Sequence, residues 1–445
     1  MSRPTFAIHT MGCKLNFYDS EVIGQALEAK GFERQRDMFS ADLTILNSCT
    51  VTNNSDSESR NLIRKFRRTN PNSFIVVTGC YAQAATQQIR AMEEVDLVTT
   101  NVDKYNVDPI IEAFHGAGHV IDEAHDIMEK RPAEFRLLEK FEAKTRAFIK
   151  IQDGCNLRCA YCIIPFVRGN NRSVPISDIL DQLRILEQQG IEEVVLTGIH
   201  IGTWGRDYRP RLHFTDLLQA IEDSEIQMWI RISSLDSPEI PDRMIELIQS
   251  STKIVPHLHI PLQAGSNATL RRMRRIYKVE QYRNRIETLR RAMPHICLGA
   301  DVIVGFPGET DEEFAETEAF IREISLDYLH VFPYSNRTGT AAADFENHIN
   351  GRISKNRGRI LREWSNEQRH AHGLRHIGAT RPAIVLPQPR AGKPFTALTD
   401  NYIEIGLEIG PEMVGRRIWV EIEQDGTDLI GRFQRVFQAD PVAAT

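Results

Sequence analysis

No stretch of the 445-residue chain holds about 18 consecutive apolar residues, so no membrane-spanning helix is expected. Its opening residues, MSRPTFAIHT, lack the basic lead, apolar run and small-residue cleavage site of a secretory leader, and a cytoplasmic location is expected. Gly (27) and Pro (20) fall far short of a fibrous repeat. An excess of positive charge is also missing: 54 Lys and Arg against 60 Asp and Glu leave a net charge of -6. A generally basic nucleic-acid binder is thereby excluded, and any RNA contact must come from local basic patches. What is present is 41% hydrophobic and 26% charged residues, enough apolar material to exclude disorder as the main state. At roughly 150 residues per domain, the length fits about three domains.

Cysteine is scarce, and its placement says most. The seven lie at positions 13, 49, 80, 155, 159, 162 and 297. An odd number in a reducing compartment argues against a disulfide framework and for thiolate metal ligands. Residues 4–115 alternate strand and helix, with strands at Phe6–His9, Leu43–Leu46 and Phe74–Val77 and helices near Tyr18–Lys30, Ser57–Arg68 and Ala82–Met92. That alternation predicts a parallel sheet with crossover helices. The three strands run into TFAIHTMGC, LTILNSC and FIVVTGC, so Cys13, Cys49 and Cys80 should converge on the carboxyl edge of the sheet. Three thiolates there can hold an iron–sulfur cluster with one iron open; three buried hydrophobes are the plainer alternative.

A mixed-charge connection over 116–145 leads to a second series. Strands are predicted at Ala147–Ile151, Glu193–Leu196, Trp229–Ile232, His257–Pro261, Gly299–Val304 and Tyr328–Phe332, with helices at 176–190, 214–222, 238–250, 267–293 and 310–324. Six such units predict a (βα)6 partial barrel whose reactive face is at the strand carboxyl ends. IKIQDGCNLRCAYCIIPFVRG follows the first strand and carries Cys155, Cys159 and Cys162 as C-x3-C-x2-C. A short loop with three thiolates and no fourth local ligand suits a [4Fe–4S] cluster whose open iron chelates S-adenosylmethionine. Zinc is the competing reading, but its structural sites want a second ligand pair. Tyr161 beside the last cysteine, Gly198 in TGIHIG, Ser234 in SSLDS, Gln263 in PLQAGS, and Asp301 and Gly305 in ADVIVGFPGET are the candidate cofactor contacts. Glu309 and Asp311 start the helix after the last of these, and ordinary strand-to-helix turn chemistry is the alternative for each. His200, His257 and His259 read as satisfied polar residues and Cys297 as core. No catalytic acid or base stands out.

Between residues 352 and 381 eight Lys and Arg face two acidic residues, and Arg60–Arg68 and Arg271–Arg275 are further basic runs. From about Ala383 short strands replace helices, which predicts a small all-β barrel of a kind often used on nucleic acid. The expected divisions are 1–115, the linker 116–145, 146–376 and 377–440.

MGCKLN (11–16), NSCTVT (47–52), TGC (78–80), DGCNLRCAYCIIPFVRG (153–169), PLQAGSN (261–267) and VIVGFPGET (302–310) together resemble the radical S-adenosylmethionine methylthiotransferase family over essentially the full length. The family order is an N-terminal domain with three separated cysteines, a radical domain and a TRAM domain. The resemblance implies two [4Fe–4S] clusters, an auxiliary one on Cys13, Cys49 and Cys80 and a radical one on Cys155, Cys159 and Cys162. It implies that one S-adenosylmethionine methylates sulfur at the auxiliary cluster and that a second, reductively cleaved, yields the radical that takes hydrogen from the substrate carbon. GCKLN, IQDGCN and TGIHIG resemble the branch that modifies C2 of N6-threonylcarbamoyladenosine next to the anticodon of tRNA. Expected partners are tRNA and an electron donor of flavodoxin or ferredoxin type, without a membrane. Two other substrates stay open, isopentenyladenosine in tRNA and an aspartate of ribosomal protein S12, as does a non-catalytic metal-containing RNA binder.

Overall fold

Apolar runs that do not alternate with polar residues can be buried only if both faces of their sheet are covered. Thr5–Thr10, Leu43–Ser48 and Phe74–Gly79 are such runs in the computed structural model, which describes residues 3–102, 104–116, 127–129, 131–141, 145–388 and 392–437. They form the centre of a fully parallel five-stranded sheet, flanked by the short strands Glu33–Arg34 and Leu97–Val98. Helices Lys14–Ala29 and Asn53–Thr69 are the longest crossovers. The single helix expected over 82–92 is two short ones, Cys80–Ala84 and Thr86–Arg90, broken at Ala85.

Six parallel strands follow in two hydrogen-bonded groups. Ala147–Lys150, Glu193–Thr197 and Trp229–Ile232 make one; His257–His259, Cys297–Val304 and Tyr328–Pro333 make the other. A parallel bridge between Ile230 and Ile254 joins them, so the curved sheet has Ala147–Lys150 and Tyr328–Pro333 as its two free edges. The helix expected over 267–293 is divided into Asn267–Arg272 and Val279–Ala292. Arg274 between them is left-handed (φ 58°), and the turn aims Arg275 inward. Gly351–Leu374 packs along the last strand.

Thr380–Val385, Phe395–Thr399, Glu404–Leu407, Arg417–Asp425 and Asp428–Val436 close into a five-stranded barrel around Ile405, Ile418, Val420 and Ile422. It docks on the end of the central sheet where the strands begin. Arg231 donates to the carbonyls of Thr399 and Asp400, Tyr402 stacks on His257 with centroids 3.9 Å apart, and Arg417 holds Glu192 at 3.1 Å. The expected linker lies partly outside the described residues; its 131–141 stretch has no helix or strand and crosses the first helix, where Tyr18 donates to the Arg136 carbonyl.

Candidate metal centre and cofactor cavity

The C-x3-C-x2-C loop leaves the first central strand and is closed at its base by a two-residue antiparallel pairing, Gln152–Asp153 with Arg172–Ser173. Gly154 makes the close approach that this needs: at φ 71°, a Cβ there would lie 2.0 Å from the Asn170 carbonyl oxygen. The loop is pinned elsewhere by Ala160, whose amide donates to the Met273 carbonyl and whose carbonyl accepts from Ala342. Cys155, Cys159 and Cys162 thereby line one cavity of about 270 Å³. Burial, with the charge of neighbouring Cys159, pushes the Cys162 thiol up to about 12. A thiol placed like that of Cys162 keeps its proton unless a cation takes the charge, which fits a soft-ligand metal cluster.

Their neighbours are donors. His200 Nδ1 lies 3.5 Å from Cys155 Sγ, and Arg275 Nη1 donates to Cys159 Sγ at 3.3 Å. Burial opposes charge on His200, yet Cys155, Glu239 (Nε2–Oε2 2.9 Å) and Asp236 outweigh it and raise its pKa to about 10. Neither His200 nor Arg275 was legible as a site residue; Arg275 belongs to a basic run that reads as a helix face.

Tyr161, Ser234, Gln263 and Asp301 line the same cavity. Gln263 sits at φ 64° and is held by its amide on the Asp301 carbonyl at 2.8 Å. Asp301 Oδ1 is 2.9 Å from His259 Nε2 and 3.3 Å from His330 Nδ1. Gly198 and Gly305 are not lining residues. A Cβ on Gly198 would fall 2.7 Å from the Gln152 carbonyl oxygen, and one on Gly305 would fall 1.9 Å from Ser354 Oγ, so both serve packing. Glu309 accepts from the Gly305 amide and from Arg357, which orders the turn and leaves it no reach into the cavity.

At the other sheet, Cys13, Cys49 and Cys80 follow three adjacent strands. Cys13 opens helix Lys14–Ala29, Cys49 follows Leu43–Ser48 and Cys80 begins Cys80–Ala84. Two asparagines sew the motifs together: Asn16 Nδ2 donates to the carbonyls of Met11 and Ser48, and Asn47 Nδ2 donates to the Asn16 carbonyl. Cys49 Sγ would be 2.8 Å from a Cβ on Gly12. Burial raises the Cys49 thiol to about 11, helped by Cys80 and Cys13.

The two cysteine groups meet through Arg168, six residues after Cys162. Its Nε donates to Cys80 Sγ at 3.2 Å, and its Nη1 is 3.0 Å from Asp19 Oδ2 and 3.5 Å from Asp153 Oδ2. Lys104 and Tyr105 also bond Asp19, and Lys150 lies 3.8 Å from both carboxylates. Cys80 packs directly on Ile163 and Val167. A second clamp is Arg337, after the last central strand, which holds Asp56 at 2.8 Å and Thr50 at 2.5 Å, one residue from Cys49. Arg168 and Arg337 therefore join the cysteine edge of the N-terminal sheet to the central barrel, although Cys13, Cys49 and Cys80 are not among the residues that line the cavity of Cys155, Cys159 and Cys162.

Residues 149–321 match the family model described as Radical SAM superfamily, and residues 5–100 match Uncharacterized protein family UPF0004. The chain is 39% identical to threonylcarbamoyladenosine tRNA methylthiotransferase MtaB of Bacillus subtilis, over 98% of this chain and 97% of that protein. The Aquifex aeolicus protein of the same name is 37% identical over 94% of this chain and 99% of its own length. The tRNA-2-methylthio-N(6)-dimethylallyladenosine synthase of Carboxydothermus hydrogenoformans is 34% identical over 82% of this chain and 84% of its own. In fold, the chain resembles the radical S-adenosylmethionine methyltransferase TsrM from Kitasatospora setae, with a TM-score of 0.55 at 14% identity over 74% of this chain and 73% of that one. With relatives of this identity along nearly its whole length, the chain belongs to the radical S-adenosylmethionine tRNA methylthiotransferase family and is an enzyme of that class.

Proposed function

We propose that this enzyme adds a methylthio group to C2 of N6-threonylcarbamoyladenosine at position 37 of tRNA, with a [4Fe–4S] cluster on each cysteine triplet and S-adenosylmethionine at the radical site. The observation that carries the reading is Arg168, which bonds Cys80 from within the turn that follows Cys162. When bound, the radical cluster supplies the electron that splits S-adenosylmethionine into a carbon radical, and the auxiliary cluster supplies the site that holds sulfur. No side-chain base removes an aryl C2 hydrogen at neutral pH, which is why the position calls for a radical.

The remaining work falls to the chain. Tyr161, Ser234, Gln263 and Asp301 wall the cofactor cavity, while His200 and Arg275 donate to Cys155 and Cys159 sulfur. Hydrogen bonds to cluster sulfur tune its potential. Arg168 and Arg337 hold the N-terminal domain over the strand ends, so that a base admitted between them meets both thiol groups. The C-terminal barrel presents exposed Phe433 and Arg435 over Trp419, a cation–aromatic surface suited to stacked RNA bases. Reduction by a flavodoxin- or ferredoxin-type donor in the cytoplasm completes the reading.

Nucleoside mass spectrometry of tRNA from a deletion strain tests it. The methylthio derivative of N6-threonylcarbamoyladenosine should vanish and its unmodified parent accumulate. If the methylthio derivative of isopentenyladenosine vanishes instead, the substrate assignment is wrong.

A further inference from the structure

Alternate side chains of a strand share one face. Tyr328, His330 and Phe332 are such a set on the last central strand, Tyr328–Pro333. Their face is the inside of the barrel. Tyr328 Oη lies 2.9 Å from His257 Nε2 and 3.1 Å from His259 Nδ1, and the His330 ring stacks on that of His259 with centroids 5.0 Å apart. Side chains that face into a closed barrel are packed, and Tyr328 is buried. The other two are not: the His330 side chain is 48% exposed and Phe332 is 46% exposed. The interior is therefore open at the carboxyl half of this free edge. His330 Nδ1 lies 3.3 Å from Asp301 Oδ1, and Asp301 lines the cofactor cavity, so the opening adjoins that cavity. Phe332 stands edge-to-face with His330 at 6.5 Å.

Helix Gly351–Leu374 borders the opening. Ser365 Oγ accepts from the Leu329 amide and donates to its carbonyl, and Arg362 donates to the Val331 carbonyl. The helix thus covers the edge backbone and runs antiparallel to the strand. Arg369 reaches round the edge to the inner face, 5.2 Å from the centre of the Tyr328 ring. Arg352, Lys355, Arg359 and Arg362 are spaced by three, four and three residues, which places them on one face, and all four are exposed. Because the helix is antiparallel, these first turns lie toward the carboxyl end of the strand, the end that carries the cofactor cavity. Arg359 pairs with Glu363 on the surface; the other three have no ion pair among the described residues. Like charges at this spacing repel, and a polyanion laid along them relieves the repulsion. A cationic row beside half-exposed rings is the make-up of a single-strand nucleic-acid site. A folded acidic protein could meet the row, but only an unstacked base could pass the edge and reach the rings.

Resting on the function proposed above, we propose that the Arg352–Arg362 face holds phosphates of the anticodon loop and that Phe332, with His330 beside it, stacks the base turned inward.

The test uses the full chain, purified anaerobically, and a fluorescent anticodon stem-loop RNA with N6-threonylcarbamoyladenosine at position 37. The double variant Arg352→Gln/Lys355→Gln should bind it about tenfold more weakly at about 0.1 M salt. It should also lower the slope of log affinity against log salt by about 1.4, two contacts at ~0.7 each on a single strand. Phe332→Leu should weaken binding by about 5- to 150-fold, the range for one stacked base, with the salt slope kept, and Phe332→Trp should restore it. Iron content checks that each variant is intact. An unchanged affinity in the double variant overturns the proposal, and loss of reduction by flavodoxin in its place would assign the row to the electron donor. Wild-type affinity in Phe332→Leu overturns the stacking. If the variants behave as expected while wild type leaves the RNA without a methylthio group, the site stands and the proposed reaction fails.

Discussion

Arg168→Met should lower the stability of the N-terminal and central domains by about 3 kcal/mol or more, the range for removing one partner of a buried ion pair. Arg168 is 1% exposed, and its guanidinium is shared by Asp19, Asp153 and the Cys80 sulfur. Methionine fills much of the volume but leaves two buried carboxylates short of one cation. Lys104 and Lys150 remain beside Asp19, which places the loss at the lower end of the range. Burial disfavours the Asp19 anion, but Lys104, Arg168 and Lys150 outweigh it and hold its carboxyl below the ordinary range. A carboxyl depressed in the folded state contributes stability above its unfolded pKa of about 3.9, and that contribution is lost as pH falls through and below this value. Calorimetry from about pH 5 down to about pH 2 should show the wild-type transition fall increasingly below about pH 4 and that of Arg168→Met, already lower, fall less. Arg168→Lys keeps the charge without the fork and should lie between them. A Met variant that melts with wild type at pH 7 would show that the domains are held by other contacts.

The parts that were legible are those written in local pattern. The strand before each of Cys13, Cys49 and Cys80 announces itself by a continuous apolar run, and a parallel sheet sends its strand ends to one edge, so their convergence follows from topology alone. The C-x3-C-x2-C loop is compact enough that spacing implies proximity. Tyr161, Ser234, Gln263 and Asp301 reach the cavity because they lie at or just beyond strand ends of one barrel. Gly198 and Gly305 show where that logic stops: a glycine at a strand end can face a ligand or a neighbouring chain segment, and only coordinates decide. Arg168 stands inside the most conspicuous motif, yet its partner Asp19 is 149 residues away, a pairing that no periodicity encodes. Arg275 looked like one more exposed cation in RRMRR until the left-handed Arg274 turned the chain. The docking of the C-terminal barrel on the strand-start end was hidden likewise, because it rests on single contacts such as Tyr402 on His257.

Removing one thiol from each triplet should separate two losses. Cys155→Ala should abolish formation of 5′-deoxyadenosine from S-adenosylmethionine and, with it, methylthiolation. Cys49→Ala should abolish methylthiolation while reductive cleavage continues. Each variant should fall from about eight irons per chain to about four after anaerobic purification, since a cube held by two remaining thiolates is readily lost. The separation follows from the architecture. Cys155 lines the cavity with Ser234, Gln263 and Asp301, whereas Cys49 hangs on the neighbouring sheet, where Asn16 and Asn47 position it without touching that cavity. Cys297 is the internal control. It is buried and belongs to neither triplet, so Cys297→Ala should keep all eight irons and both activities. Retention of reductive cleavage by Cys155→Ala would remove the radical assignment, and retention of methylthiolation by Cys49→Ala would remove the auxiliary one. Loss of cleavage in Cys49→Ala at four remaining irons would instead mean that the two centres are coupled, and Arg168, in contact with Cys80 and one turn beyond Cys162, is the side chain placed to couple them.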